Sequence, residues 1–275
     1  MSNAAFPRSL VLAGAGKMGG SMLAGWLAQG LDPASVTVIE PRPSDELQAL
    51  VRRTGIALNP DAASIAAPEI LVLGIKPQTL ADAAPGLRPL VGAGTLVVSI
   101  LAGSTVATLS AALGASAIVR AMPNLPASIG QGATGAYASP ATNSAQRAGA
   151  DTLLQANGIV EWVGSEDLID AVTGLSGSGP AYVFHLVECL AQAGIAAGLE
   201  ADMAARLARA TVVGAGGLLA DSALPPASLR ENVTSPGGTT AAALAVLMRP
   251  GEAGLSALMG QAVAAAKRRA GELAG

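Results

Sequence analysis

Histidine and cysteine are nearly missing from these 275 residues, with one of each, His185 and Cys189. A lone cysteine makes no internal disulfide, and a lone histidine builds no histidine-based zinc cluster. With no acid read beside it and no nucleophile elbow, that histidine also makes no hydrolytic triad, and no carboxylate and histidine cluster suggests a metal. Both residues fall in PAYVFHLVECLAQAG, an apolar stretch in which they are expected to be packed on a helix. Aromatic residues make up only 2% of the chain, while alanine and glycine abound, so backbones must pack closely instead of being spaced by large rings. Clustered positive charge is absent too. A net charge of −3, with no cluster of Lys or Arg, gives no footprint for nucleic acid or an anionic membrane, so any anionic ligand must be captured locally. The charge-free stretch between Arg88 and Arg120 is broken by Gly, Ser and Thr, and falls short of the roughly 20 apolar residues a spanning helix needs. MSNAAFPRSLVLAGAG carries no signal-peptide run, which makes the cytoplasm the expected location.

What the chain has in quantity is apolar residues, 51% of it, and its length favours two domains with a ligand site between them. Up to about residue 165, the β-rich runs SLVLAGAG, SVTVIE, EILVLGI, TLVVSI, AIVRAMPN and GIVEWVG alternate with helical segments near 17–30, 45–53, 77–84, 104–113 and 144–156. Continuous apolar strands between helices predict a parallel sheet covered on both faces. LPASIGQGATGAYASPATNS reads as a long loop-rich piece of that domain. From residue 166 the strand signal stops, and helices are expected near 166–172, 180–198, 200–221, 227–232, 239–248 and 252–273. The fold class is thus α/β, with a sheet domain over 1–165 and an all-α domain over 166–275. LARATVVGAGGLLA is small and apolar on nearly every face, more than about a hundred residues bury alone. A partner chain is expected, most simply in a two-fold homodimer.

VLAGAGKMGGSMLAGWL sets Gly14, Gly16 and Gly19 as G-x-G-x-x-G between a strand and a helix. Gly14 allows the tight turn, Gly16 admits a pyrophosphate to the backbone, and Gly19 lets the helix pack on the strand with its N-terminus toward the anion. With Ala15, Lys17 and Met18 the loop is a candidate dinucleotide cradle. A Walker loop fails, because Met18 follows Lys17 and Val11 stands where its first glycine belongs. Glu40 ends the second strand about 21 residues beyond Gly19. A carboxylate there bonds ribose hydroxyls and repels a 2′-phosphate, which favours NAD(H), whereas Arg42 is able to pair with that phosphate and keeps NADP(H) open. Ile75, Lys76 and Pro77 in LGIKPQ, Ala102 and Gly103 in SILAGST, and Asn124 in RAMPN close successive strands at the carboxyl edge, where ligands of open sheets bind. Redox chemistry carried by a cofactor is what these residues support.

Two loops of the helical half suit a small substrate. In VTSPGGTT, Pro236, Gly237 and Gly238 make a tight turn, and Thr239 or Thr240 is expected to cap an Ala-rich helix. Exposed N–H groups there, with the hydroxyls of Ser235, Thr239 and Thr240, suit a carboxylate. In TGLSGSGPAYVF, Thr173 precedes a flexible SGSG turn and Pro180 sits where a helix begins.

TGLSGSGPAYVF followed about fifty residues later by VTSPGGTT, behind GAGKMG and IKP, resembles the pyrroline-5-carboxylate reductase family over essentially the whole chain. That resemblance implies a Rossmann-type dinucleotide-binding domain followed by a helical dimerisation domain. It implies reduction of the cyclic imine pyrroline-5-carboxylate to L-proline by NADPH or NADH, the last step of proline synthesis, in homodimers or pentamers of dimers. By position, Ser235, Thr239 and Thr240, with the turn glycines Gly237 and Gly238, would hold the substrate carboxylate. Val233 would line the pocket and Thr173 would approach the imine nitrogen. Lys76, Pro77, Met122, Pro123, Asn124, Ser178 and Gly179 would line the crevice. The chain departs from the family at Glu40, Pro41 and Pro43, where members often carry a polar or basic run suited to NADPH. It departs again in NPDAASIA, where many carry an asparagine for the adenosine side and Asp61 stands nearest. A β-hydroxyacid dehydrogenase would need a lysine on the joining helix, and none occurs from Leu175 to Ser222. A nucleotide sensor without turnover is the other reading, and an assay separates it.

Overall fold

The computed structural model describes residues 6–252 and 254–274, so part of the stretch read for a signal peptide lies outside the described residues. The first half alternates β1 (Leu10–Ala13), α1 (Lys17–Ala28), β2 (Val36–Ile39), α2 (Asp45–Thr54), β3 (Ala57–Leu58), β4 (Ile70–Leu73), α3 (Leu80–Leu87) and β5 (Leu96–Ser99). Then come α4 (Val106–Leu113), β6 (Ile118–Met122), β7 (Gly132–Ala138), α5 (Ser144–Gln155) and β8 (Gly158–Trp162). The remaining elements are helical: α6 (Leu168–Val172), a π-turn at Thr173–Gly177, α7 (Gly179–Ala196), α8 (Ala201–Asp221), α9 (Pro226–Asn232), α10 (Thr239–Leu247) and α11 (Leu255–Ala274).

The sheet order is β3-β2-β1-β4-β5-β6-β7-β8. Every residue of β1, β4 and β5 is buried, as expected of parallel strands covered on both faces. Because side chains alternate, Leu12, Val38, Val72 and Val98 join Trp26 and Leu153 in one core, while Val11, Leu71, Val97 and Ile118 join Leu109 in the other. The Trp26 indole N–H, fully buried, is satisfied by the Leu153 carbonyl at 2.7 Å.

The sheet is mixed, which corrects the all-parallel expectation. β7 lies in the stretch expected to be a loop, pairs antiparallel with β6 and parallel with β8, and has the sequence GATGAYA. Small residues serve there because the neighbours come close: a Cβ at Gly135 would overlap Val172. The helix expected at 77–84 opens as a 3-10 turn at Pro77–Thr79, and α3 follows.

Chain contacts divide the molecule into two compact units. One runs to Ser178 and takes back the chain from Ala265 onward; the other is Gly179–Ala264. In the first, Arg120 on β6 is 4% exposed, and its Nη1 donates to Glu166 Oε1 at 2.8 Å. The same oxygen accepts the first N–H of α4, from Val106, at 2.7 Å. In the second, the chain turns at Gly198, φ +101°, from α7 into α8. Glu200 caps α8 by accepting the N–H groups of Asp202 and Met203, both at 2.9 Å, and those bonds hold its carboxyl below the usual range. Much of this unit's apolar surface is uncovered in the single chain, including Phe184, Leu207 and Val213. His185 and Cys189 are exposed on α7, which corrects the expectation that both are packed.

Candidate functional site

Three groups of residues carry the expected site, and the first surrounds the glycine loop. Gly14 has φ +91°, and a Cβ there would overlap the backbone of Gly74 and Ile75; at Gly19 it would overlap the Gly14 carbonyl. At Gly16 it would meet nothing within 4 Å, so this is the open side of the cradle. Hydrogen bonds from Gly14 N–H to the Ile39 carbonyl, 2.9 Å, and from Gly74 N–H to the Ala13 carbonyl, 2.7 Å, lock the loop to β2 and β4. Gly16 is the N-cap of α1, with no side-chain cap and no acidic residue in the first turn. A cleft of about 1480 Å³ opens there, lined by Gly14, Ala15, Gly16, Lys17, Glu40, Arg42, Ile75 and Lys76. An uncapped helix N-terminus facing a cleft, with room at Gly16, fits a pyrophosphate.

Glu40 follows the last residue of β2 and lines the same cleft. Its Oε2 accepts Ala15 N–H at 3.0 Å and its Oε1 accepts Arg42 N–H at 3.1 Å. Asn59 grips the backbone of the same residue, Nδ2 donating to the Glu40 carbonyl at 2.9 Å and Oδ1 accepting the Glu40 N–H at 2.8 Å. Sequence reading missed Asn59 and took Asp61, whose Oδ1 instead accepts Ala63 N–H in a local turn. An asparagine before a proline was the available signal, since Asn tolerates the left-handed φ of +49° found there. Met18 packs against the core, Pro77 opens a 3-10 turn, and Gly103, beside Ala102, has φ +74° with Leu273 against its α-carbon.

The second group is the turn after α6. SGSG is not a flexible turn: Thr173–Gly177 is one π-helical turn, closed by Ser178 N–H to the Thr173 carbonyl at 2.8 Å. Thr173 Oγ1 donates to the Ile169 carbonyl at 2.8 Å. Asn124, 8% exposed, donates from Nδ2 to the Ser176 carbonyl at 3.0 Å and accepts Ala133 N–H on Oδ1 at 2.9 Å. Pro123 beside it is buried, and Met122 lies so close to Gly177 that a Cβ there would stand 3.5 Å from it. Ser178 and Gly179 follow at the turn's exit, half-buried.

The third group belongs to the second unit. Gly238, not Thr239 or Thr240, is the N-cap of α10, and it makes no side-chain cap, which corrects the expected threonine cap. Gly238 N–H closes the turn onto the Ser235 carbonyl at 3.0 Å, with Gly237 at φ +70°. The first turn of α10 therefore presents N–H groups without a side-chain partner, beside the hydroxyls of Ser235, Thr239 and Thr240. Val233 is 64% exposed. Contrary to the sequence expectation, an acid does accompany the histidine: His185 Nδ1 lies 3.0 Å from Glu188 Oε2, and Cys189 Sγ lies 3.5 Å from His185 Nε2. All three are on the exposed face of one helix.

The chain is similar to known proteins along nearly its whole length. A family model described as pyrroline-5-carboxylate reductase dimerisation matches residues 166–273, and one described as NADP oxidoreductase coenzyme F420-dependent matches residues 9–103. The pyrroline-5-carboxylate reductase of Pseudomonas aeruginosa is 39% identical over 262 residues, 95% of each chain. That of Synechocystis is 40% identical over 272 residues, 96% of this chain and 97% of its own. Among solved structures, a pyrroline-5-carboxylate reductase from Coxiella burnetii superposes with a TM-score of 0.89 at 34% identity, covering 98% of this chain and 99% of its own. The Plasmodium falciparum pyrroline carboxylate reductase with NADP bound gives 0.80 at 25% identity, covering 97% and 98%.

Proposed function

Since the chain belongs to the pyrroline-5-carboxylate reductase family, we infer that it transfers a hydride from NADPH or NADH to the imine carbon of L-1-pyrroline-5-carboxylate, giving L-proline. The near-complete match to reductases at 39% and 40% identity carries this reading. The open glycine cradle and the carboxylate at its adenosine end support it.

The nicotinamide cofactor, when bound, supplies the hydride. Gly16 and the N-terminus of α1 hold its pyrophosphate, Glu40 or Arg42 reads its adenosine ribose, and Ile75, Lys76 and Pro77 line its path with Ala102, Gly103 and Pro123, whereas both ends of the Asn124 amide are already taken by Ser176 and Ala133. Ser235, Thr239 and Thr240 hold the substrate carboxylate on the first turn of α10, beside Val233. Thr173 spends its one hydroxyl proton on the Ile169 carbonyl, so toward a ligand it offers only lone pairs. Those accept the N–H of a protonated imine, the electrophilic form, and the remaining requirement is placement more than a strong acid or base, in keeping with how few titratable residues the proposed substrate contacts include. Residues 1–165 serve the nucleotide, and 166–275 serve dimerisation and substrate. Residues 166–273 match a dimerisation family, and the chain is homo-oligomeric, as a dimer or a pentamer of dimers, the two assemblies the family resemblance implies. A single unpaired thiol, Cys189, suits a cytoplasmic location.

The test follows NADPH and NADH fluorescence in parallel with L-pyrroline-5-carboxylate as the only acceptor. Loss with either cofactor establishes the reductase; binding of both without loss would leave a nucleotide sensor. In the same assay Thr173→Val lowers kcat/KM by about tenfold or more, the scale of one lost polar contact to a charged group. Unchanged turnover and substrate affinity would remove Thr173 from the chemistry.

A further inference from the structure

Three residues beyond the turn that carries Thr173, Pro180 stands in the first turn of α7, where a helix continuous with that turn would reject it. The Ser176 carbonyl would there accept the N–H of residue 180, but residue 180 is Pro, which has no N–H and whose ring crowds that carbonyl. In place of an α-helical turn stands the π-turn, closed five residues apart from Ser178 N–H to the Thr173 carbonyl. The carbonyl left without its proline partner is met from the sheet, by Asn124 Nδ2 at 3.0 Å. Asn124 has no freedom in this: Oδ1 is fixed by Ala133 N–H at the start of β7, 2.9 Å away, and the residue is buried. Its amide therefore spans β6, β7 and the π-turn at once, and swapping its two ends would face donor with donor and acceptor with acceptor.

We propose that Asn124 is a positioning residue for hydride transfer, which fixes the π-turn from the carboxyl end of β6 and so places the Thr173 hydroxyl, rather than a group that contacts the cofactor. Only the kinetic arm of the test rests on the reductase reading.

Asn124→Asp keeps the acceptor for Ala133 and removes the donor to Ser176. Pro180→Ala restores an N–H at position 180 and lets the helix run through the turn. Full-length wild type and both variants are compared for nucleotide dissociation constants, for kcat and KM with L-pyrroline-5-carboxylate, for thermal unfolding, and for amide hydrogen exchange at Ser178. In Asn124→Asp, kcat is expected to fall by about tenfold to a hundredfold, the scale of a small misplacement at a reacting centre, with dissociation constants for NADPH and NADH within about twofold of wild type. Exchange at Ser178 accelerates by about tenfold or more, as a lost clamp opens the turn. Pro180→Ala lowers kcat in the same way without lowering thermal stability. A tenfold weaker nucleotide with kcat retained would instead make Asn124 a cofactor ligand, and a lower melting temperature with unchanged kcat would make it a structural residue only; either overturns the proposal. If Asn124→Asp does not fold, an unchanged kcat in Pro180→Ala overturns it. If the wild type leaves the imine unreduced, the reductase reading fails by itself, and Ser178 exchange unaffected by Asn124→Asp still overturns the clamp.

Discussion

Glu40 shows how much a single residue decides here. Its carboxylate is held by two backbone donors, Ala15 N–H at 3.0 Å and Arg42 N–H at 3.1 Å, so it is ordered before any nucleotide arrives. An ordered carboxylate accepts ribose hydroxyls at little cost, but it faces a 2′-phosphate of about two negative charges with a repulsion of about 2 kcal/mol at 5 Å in bulk water, and more where water is excluded. Arg42 and Arg53 on the same cleft oppose that repulsion. Glu40→Gln removes the charge and preserves the shape, and is expected to raise the NADPH over NADH ratio of kcat/KM by about tenfold, the equivalent of 1.4 kcal/mol. Arg42→Ala shifts the ratio the other way. Parallel kinetics with both cofactors read it, and a ratio unmoved by Glu40→Gln would place the carboxylate away from the 2′ position. Asn59, which fixes the Glu40 backbone from both sides, left only a weak local mark in the sequence, an asparagine before a proline, because its partners are brought alongside by the fold.

Elements with one dominant physical cause were legible in the sequence, and those with two were not. β1, β4 and β5 announce themselves because parallel strands buried on both faces must be continuously apolar. β7 does not: its glycines and alanines answer to the crowding of Val172 and to partners on two sides, a tertiary cause with no local pattern. The π-turn was hidden for the same reason, since it depends on Pro180 nearby and on Asn124 far back in the chain. The missing threonine cap on α10 is a choice between neighbours, Gly238 or Thr239, that propensity resolves only to a residue or two. One ion pair ties several elements together: Glu166 holds Arg120 of β6 and the first N–H of α4 with one oxygen. Glu166→Ala would strand a guanidinium that is 4% exposed and whose Nε already has no hydrogen-bond partner among the described residues. Breaking such a pair from one side costs on the order of 3 kcal/mol, a fall in Tm of about 6–12 °C for a chain of this size. Glu166→Gln keeps an acceptor and recovers part of that loss. Equal melting temperatures for wild type and Glu166→Ala, by calorimetry, would show that the pair contributes nothing net.

At the scale of the molecule, the question is what covers α8. This helix is long and apolar enough to cross a membrane by length and composition. Arg206 and Arg209 lie within it, however, and its uncharged run from Ala210 to Ala220 is eleven residues, about 16 Å of helix against a hydrocarbon core of about 30 Å. Val213 and Leu218 on that run are 69% and 62% exposed in the single chain, alongside further apolar residues of α7, α8 and α10, while the matched dimerisation region takes in all three helices. A second copy of the chain covers such a surface in a two-fold arrangement, in which each side chain at the interface appears twice. Leu218→Arg then loses about 1.5–3 kcal/mol of apolar burial per copy and must in addition desolvate two guanidinium groups. At micromolar concentration and without detergent, the wild type is expected to sediment as a dimer or a multiple of it, and Leu218→Arg as a monomer with a lower Tm, since folding and association are linked. A variant that stayed dimeric at the wild-type melting temperature would put the C-terminal half of α8 outside the interface, and a wild type recovered only with detergent would return the helix to the membrane.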